Sequence, residues 1–148
     1  MGYCHLAGII HRDVTPSNVL FHNGVLKMTD FGISKQLNSR VETSTINQQW
    51  TLKYQSPERI MNKRYGTKAD IWSFGCIMYE LCMLKHPFTD FNMNLVLENK
   101  IKEGIFEPLP DRFSNEMKEL VNACLSVNPD DRPDAVTILN RIKEIQQE

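Results

Sequence analysis

The second half of the chain is dominated by apolar positions spaced as in helices. Residues 68–84 are apolar on nearly every side, which predicts a helix buried against several neighbours. A shorter amphipathic helix is predicted over residues 93–102 and ended by Gly104. Apolar residues then recur at intervals of three and four after Ser114, a residue type that favours the helix N-cap. A last helix is predicted to open at Pro133, with one side made by Val136, Leu139, Ile142 and Ile145 or Gln146.

The first half of the chain has a different pattern. Residues 1–8 predict the last turns of a helix that ends at Gly8, with a buried side made by Tyr3, Leu6 and Cys4. Two short β-rich runs, residues 19–21 and 25–28, flank an Asn-Gly pair, which is the strongest short signal for a hairpin. Residues 32–49 are polar without a steady period and predict a long surface loop. The order as a whole predicts one mostly α domain with a small β element.

Composition and charge exclude several classes of partner. The 148 residues contain 17 Lys and Arg against 18 Asp and Glu, so no strong field favours nucleic acid or an anionic membrane. The apolar run of residues 71–84 includes Ser73 and Glu80 and is shorter than the roughly twenty residues that a bilayer span needs. The four cysteines lack C-x-x-C spacing, which predicts reduced core residues of an intracellular, cytoplasmic protein. We therefore expect neither a nucleic acid nor a membrane as a partner.

Three short motifs carry the candidate chemistry. In chain order they are His11-Arg12-Asp13 with Asn18 five residues after the aspartate, Asp30-Phe31-Gly32, and Ser56-Pro57-Glu58. A single Asp or Asn in a loop is usually explained by turn formation, but here the motifs occur together. They resemble the catalytic loop, the magnesium loop and the activation-segment end of protein kinases. The resemblance covers nearly the whole chain and implies a kinase-like helical C-terminal lobe with a small β-hairpin near the catalytic loop.

The resemblance implies a role for each matching residue. Asp13 matches the catalytic aspartate, which orients the acceptor hydroxyl and accepts its proton. Arg12 matches the arginine that pairs with a phosphate on the activation loop. Asn18 and Asp30 match the ligands of Mg²⁺, and Leu20 matches the residue beneath the adenine ring of ATP. The expected cofactors are therefore ATP and Mg²⁺, and the expected partner is a protein substrate.

The remaining matches are structural. His11 and Phe31 belong to the first two motifs. Glu58 and Arg132 match a buried ion pair that ties the activation segment to the helical lobe, and Asp70 matches an aspartate that anchors the backbone near His11. For Leu20, ordinary core packing of a strand residue is nearly as good an explanation as adenine binding.

The activation segment brings two further expectations. Thr51 lies in a stretch that resembles the peptide-binding part of serine/threonine kinases, where it would contact Asp13. Thr43, Ser44 and Thr45 are candidate phosphosites, because a phosphate opposite Arg12 can order a loop. Serine and threonine are also simply common in loops, so that explanation stays open.

The subfamily also stays open at this point. Pro16-Ser17 in the catalytic loop favours the serine/threonine branch over the tyrosine kinases. Residues 11–20 and 54–60 look like the mitogen-activated kinase kinases, whereas residues 72–88 look like the never-in-mitosis-related kinases.

The sequence departs from the kinase pattern at three places. Thr15 stands where serine/threonine kinases usually carry a Lys that helps to neutralise the transferring phosphate, and Trp50 stands where relatives have Gly. Neither a glycine-rich loop nor a V-A-I-K lysine occurs. We therefore expect residues 1–148 to form one partial kinase domain that is inactive alone, with the N-terminal lobe encoded upstream or supplied in trans. A non-catalytic scaffold or decoy, and a truncated remnant, are the alternatives.

Overall fold

The computed structural model describes residues 1–31, 35–36, 52–89 and 94–146. The helices in these ranges are α1 (Gly2–Leu6), α2 (Pro57–Ile60), α3 (Lys68–Met83), α4 (Asn94–Glu103), α5 (Asn115–Cys124) and α6 (Ala135–Ile145). The strands are β1 (Ile9–Ile10), β2 (Val19–His22), β3 (Val25–Met28) and β4 (Lys35–Gln36), and short 3-10 turns cover Pro16–Asn18 and Pro129–Asp131. The predicted mostly α architecture with a small hairpin is confirmed.

Helix α3 forms the centre of the core, as its apolar sequence predicts. Ile71, Trp72 and Cys76 are fully buried within it. Gly75 allows α3 to approach α5 closely, because a Cβ atom at this position would lie 2.8 Å from the Cβ of Cys124. The helix ends where Leu84 adopts a left-handed backbone conformation.

The predicted hairpin is present, with one more residue in its first strand. Strands β2 and β3 pair antiparallel from Val19 opposite Met28 to His22 opposite Val25. The connecting loop is therefore only Asn23 and Gly24, whose φ angles are +50° and +76°. A two-residue hairpin turn that matches the right-handed twist of its strands requires both residues to be left-handed. A second antiparallel pair, β1 with β4, was not predicted, because two-residue strands leave no periodic pattern.

The buried side predicted for α1 is wrong. Tyr3 and Leu6 are 92% and 78% exposed, and Cys4 is only partly buried. The helix instead turns Met1 and His5 inward, with Met1 against the core and His5 bonded to Asp70 at the start of α3. One helical turn offers too few residues for periodicity to identify the inner face.

The side predicted for α6 is also wrong in part. Val136 and Leu139 are 47% and 52% exposed, whereas Ile138 is 4% exposed. The helix begins at Ala135 rather than Pro133, because the Asp134 side chain accepts a hydrogen bond from the Thr137 backbone N–H and caps it. Ala135, Ile142 and Ile145 complete the contact with the core.

The cysteines and the helix lengths bear on two expectations from the sequence. All four cysteines are free thiols, and Cys76 and Cys124 are buried. Among the described residues, no helix combines the length and the apolar character that crossing a membrane requires.

Helix α2, which follows Ser56, was not predicted, because its four residues carry no periodic apolar signal.

Candidate active site

Asp13 and Asn18 lie in the loop between β1 and β2 and are bonded to each other. The Asn18 side-chain nitrogen donates to both the Asp13 carboxylate oxygen Oδ2 and the Asp13 backbone carbonyl, each at 2.9 Å. The other carboxylate oxygen, Oδ1, is buried and has no hydrogen-bond partner among the described residues. One carboxylate oxygen of Asp13 is thus held by Asn18, while the other is buried without a partner among the described residues.

The end of β3 brings Asp30 next to this loop. The backbone N–H and the hydroxyl of Thr29 both donate to the Asn18 carbonyl, at 2.9 and 3.3 Å. Asp30, the next residue, is exposed and adopts a left-handed backbone with φ of +59°. Arg12 is also left-handed, with φ of +74°. Such conformations cost about 1–3 kcal/mol for residues other than glycine and are concentrated at functional sites.

His11 connects the two loops. Its ring nitrogen Nε2 lies 3.0 Å from the Thr29 carbonyl, which can only accept, so Nε2 carries the hydrogen. The other ring nitrogen then accepts from the Asp13 backbone N–H at 3.3 Å. The imidazole also packs against the Phe31 ring, with centroids 4.6 Å apart. His11 therefore fixes the separation of the loops that carry Asp13 and Asp30.

Asp70 anchors the loop between β1 and β2 from the first turn of α3. This buried carboxylate accepts hydrogen bonds from the backbone N–H groups of His11 and Arg12 at 2.8 and 2.9 Å. Its oxygen Oδ2 also lies 2.9 Å from the His5 ring. Three polar contacts compensate for the burial of the carboxylate, and two of them hold the backbone directly before Asp13.

Glu58 and Arg132 form a bidentate ion pair in the core. Arg132 donates from Nη1 and Nη2 to the two Glu58 oxygens at 2.8 and 2.9 Å, and its guanidinium lies over the Trp72 ring. Burial alone raises the pKa of Glu58, but the hydrogen bonds and charge of Arg132 outweigh burial and hold that pKa below its ordinary value. The pair joins α2 to the turn before α6.

Leu20 and Thr15, two further residues singled out in the sequence, lie in different environments. Leu20 is 53% exposed on the hairpin, so it is not a packed core residue in this structure. Thr15 is buried, and its hydroxyl lies 2.9 Å from the Ser17 hydroxyl. Of the residues singled out in the sequence, Gly32, Trp50, Thr51 and the candidate phosphosites Thr43, Ser44 and Thr45 lie outside the described ranges.

The donor set suits a hard cation that takes part of its coordination from a ligand. The Asn18 amide nitrogen is used in both bonds to Asp13, which leaves its oxygen for other contacts. Asp30, which is exposed, directly follows Thr29, whose backbone N–H is bonded to the Asn18 carbonyl. No group of three or more His, Cys, Asp or Glu residues that could hold a metal occurs in the described ranges. Mg²⁺ commonly needs only one or two protein oxygens when phosphates and waters supply the rest.

The comparison with known families agrees with this geometry. The family model of the protein kinase domain matches residues 1–142. The chain belongs to the protein kinase family. Its fold is that of the helical C-terminal lobe.

Several named kinases are similar to this chain. It is 44% identical over 133 residues to the G2-specific protein kinase nimA of Emericella nidulans, a match that covers 89% of this chain and 19% of that kinase. It is 40% identical over 138 residues to the serine/threonine-protein kinase Nek11 of Homo sapiens, covering 93% of this chain and 21% of the relative. Human Nek5 is 44% identical over 142 residues, with 94% and 20% covered. The chain thus spans about a fifth of the length of these relatives, which support serine/threonine kinase-like function.

Sequence reasoning missed three residues around the loop between β1 and β2. His5 contacts Asp70, and Arg59 and Tyr65 contact Arg12. None of them belongs to the three short motifs, although Arg59 lies in the kinase-like stretch of residues 54–60. A His on a short helix and an Arg or Tyr near a turn are common on any surface, so only the tertiary contacts distinguish them.

Proposed function

We propose that this chain carries the catalytic half of a serine/threonine protein kinase, which transfers the γ-phosphate of ATP to protein Ser or Thr hydroxyls. The observation that carries the proposal is the Asp13 carboxylate, with Oδ2 held by Asn18 and the buried Oδ1 without a partner among the described residues. A buried carboxylate oxygen left unpaired is costly unless another group, here the substrate hydroxyl, completes it.

In this proposal each residue of the site has one task. Asp13 orients the acceptor hydroxyl and takes its proton from the oxygen that attacks the phosphorus. Asn18 and Asp30 would hold Mg²⁺, which neutralises the charge of the ATP phosphates when bound. Leu20, exposed on the hairpin, would lie under the adenine ring. Arg12 and Thr51 would serve the activation segment and the peptide substrate, and Thr43, Ser44 and Thr45 remain candidate phosphosites.

The proposal includes a second lobe with a glycine-rich loop and a lysine, encoded upstream or supplied in trans. The hairpin exposes four apolar side chains, those of Leu20, Phe21, Val25 and Leu26. Their exposure supports the proposal that a second lobe covers this surface in the working kinase. We further propose that residues 1–148 alone are inactive. The named relatives favour a never-in-mitosis-related kinase, while the mitogen-activated kinase kinase likeness of residues 11–20 and 54–60 stays a prediction.

The decisive experiment is phosphoryl transfer by the longest protein that its transcript encodes. We expect transfer from ATP to a Ser/Thr peptide library, and its loss in Asp13→Asn, which keeps the size of the side chain but removes its basicity. Asp111→Asn is the matched control, since it makes the same change on an exposed carboxylate. Equal activity of the Asp13→Asn variant and the unchanged protein would refute the role of Asp13.

A non-catalytic lobe is the second candidate, and Thr15 favours it. Its hydroxyl is turned to Ser17, and it offers no positive charge to the transferring phosphate. If the protein is a kinase weakened at this position, Thr15→Lys should raise kcat, by up to about 10²–10³-fold by analogy with other electrostatic stabilisers. If neither the unchanged protein nor Thr15→Lys transfers phosphate, the scaffold is the better explanation.

A further inference from the structure

The backbone of Arg12 is held at both of its polar groups. Its N–H donates to Asp70, as described above, and its carbonyl oxygen accepts from Arg59 Nη1 at 2.6 Å. That carbonyl belongs to the peptide unit that joins Arg12 to Asp13. The contact from Arg59 therefore fixes the plane of the last peptide before the candidate catalytic carboxylate, in a residue whose backbone is already left-handed.

Tyr65 packs against both arginines. Its hydroxyl accepts a 2.7 Å hydrogen bond from Arg12 Nε and a second one from Arg12 Nη2. The guanidinium carbons of Arg12 and Arg59 lie 5.4 and 5.3 Å from the centroid of its ring. Both distances are within the range of cation–π contacts. Tyr65 thus holds the side chain of Arg12 while Arg59 holds its backbone.

Arg59 carries its charge in a largely buried environment. Burial lowers the pKa of its guanidinium and the charge of Arg12 lowers it further, and together they outweigh the opposing effects of Tyr65, Asp70 and Asp13. Among the described residues, the bond to the Arg12 carbonyl is the one hydrogen bond that the Arg59 side chain makes. Partial burial of a charge costs free energy unless its contacts compensate. The hydrogen bond that Arg59 makes in compensation ends on the backbone of Arg12, directly before Asp13.

We propose that Arg59 and Tyr65 are positioning residues, which set the direction in which Asp13 leaves the catalytic loop. The inference rests on the proposed kinase function, and it adds two residues outside the matching motifs to the site. They act through Arg12 and touch no reacting atom. Small misplacements of a reacting group can cost about 10²-fold in rate, so loss of this support should appear in kcat.

The test uses four variants of the longest encoded protein. Arg59→Met removes the donor, Arg59→Lys restores a charge and one donor group, and Tyr65→Phe removes only the hydroxyl. Arg112→Met is the matched control, because exposed Arg112 also lies over a ring, that of Phe113, and donates to a backbone carbonyl, that of Cys82.

Hydrogen exchange of the peptide that contains residues 11–14 is the first readout, because it needs no activity. We expect faster exchange there in Arg59→Met and Tyr65→Phe, partial recovery in Arg59→Lys, and no change in Arg112→Met. In kinase assays kcat should fall by roughly 10- to 100-fold in Arg59→Met, with the KM for ATP little changed.

Unchanged exchange in both Arg59→Met and Tyr65→Phe would overturn the proposal, as would a kcat that falls no further than in Arg112→Met. If Arg59→Met does not fold, Tyr65→Phe decides, since it keeps the ring. If the unchanged protein transfers no phosphate, the proposed function fails, while the exchange data still decide whether these residues hold the loop.

Discussion

Replacing Glu58 with Gln tests the buried ion pair that joins α2 to the turn before α6. Besides the two Glu58 oxygens, Arg132 donates to the backbone carbonyls of Ser126, Lys68 and Val127 at 2.7, 2.8 and 3.1 Å. All five of its N–H groups thus reach an acceptor, and the residue is 1% exposed. Gln keeps the shape of Glu but leaves the guanidinium without a counter-charge and one N–H facing an amide NH₂ group.

The expected loss in the free energy of unfolding is about 3–5 kcal/mol, the range measured when one partner of a buried pair is removed. Domains of this kind are stable by only about 5–15 kcal/mol, so the loss should be obvious. Replacing both partners together, as in Glu58→Leu with Arg132→Met, should restore part of it, because no charge is then left buried.

The pH dependence of the free energy of unfolding gives an independent check that the charged form of Glu58 stabilises the fold. The pKa of Glu58 is lower in the folded chain than its ordinary value of 4.5, so the charged pair stabilises the fold at any pH above that value. That contribution is lost as the pH falls below 4.5 and through the folded pKa, because Glu58 is then protonated. The difference between the unchanged chain and Glu58→Gln should therefore shrink in acid.

Urea unfolding followed by tryptophan fluorescence, at neutral pH and in steps below pH 4.5, measures both effects. Asp111→Asn is the control, because it breaks the exposed pair with Lys118 and should have no measurable effect. A loss below about 1 kcal/mol in Glu58→Gln would place the pair with ordinary surface salt bridges and refute the reasoning. A difference that persists unchanged in acid would also refute it.

Three further substitutions separate the physical causes of stability, each measured by urea unfolding. Gly75→Ala should cost about 1–3 kcal/mol, because its Cβ would lie 2.8 Å from the Cβ of Cys124 and push α3 from α5; a neutral result would mean that the helices are not in close contact. Gly24→Ala should cost about 1–2 kcal/mol from backbone conformation alone, since its methyl group meets no atom within 4 Å at a φ of +76°. Ser114→Ala should cost about 1 kcal/mol, because the Met117 backbone N–H loses its acceptor at 3.2 Å; Ser114→Asp should keep the cap, and equal losses in both variants would contradict it.

Local features of this protein could be predicted from the sequence because neighbouring residues encode them. Asn23-Gly24 supplies the two left-handed residues of the hairpin turn. Ser114 caps α5 through a bond to a backbone group three residues away. The apolar character of residues 68–84 predicts burial on several sides, which needs no knowledge of the neighbours. The kinase motifs identify the family for the same reason, since each is a short contiguous pattern.

Tertiary structure alone decided which sides of the short elements are buried and which distant groups meet. Helix α6 buries Ile138 rather than Val136, and α1 turns His5 inward instead of Tyr3. Several side chains of each helix could face the core equally well, and only the position of the neighbouring element selects among them. The contact of Arg59 with the Arg12 carbonyl joins residues 47 positions apart. No local period encodes such a contact, because it depends on where tertiary packing places α2 relative to the loop between β1 and β2.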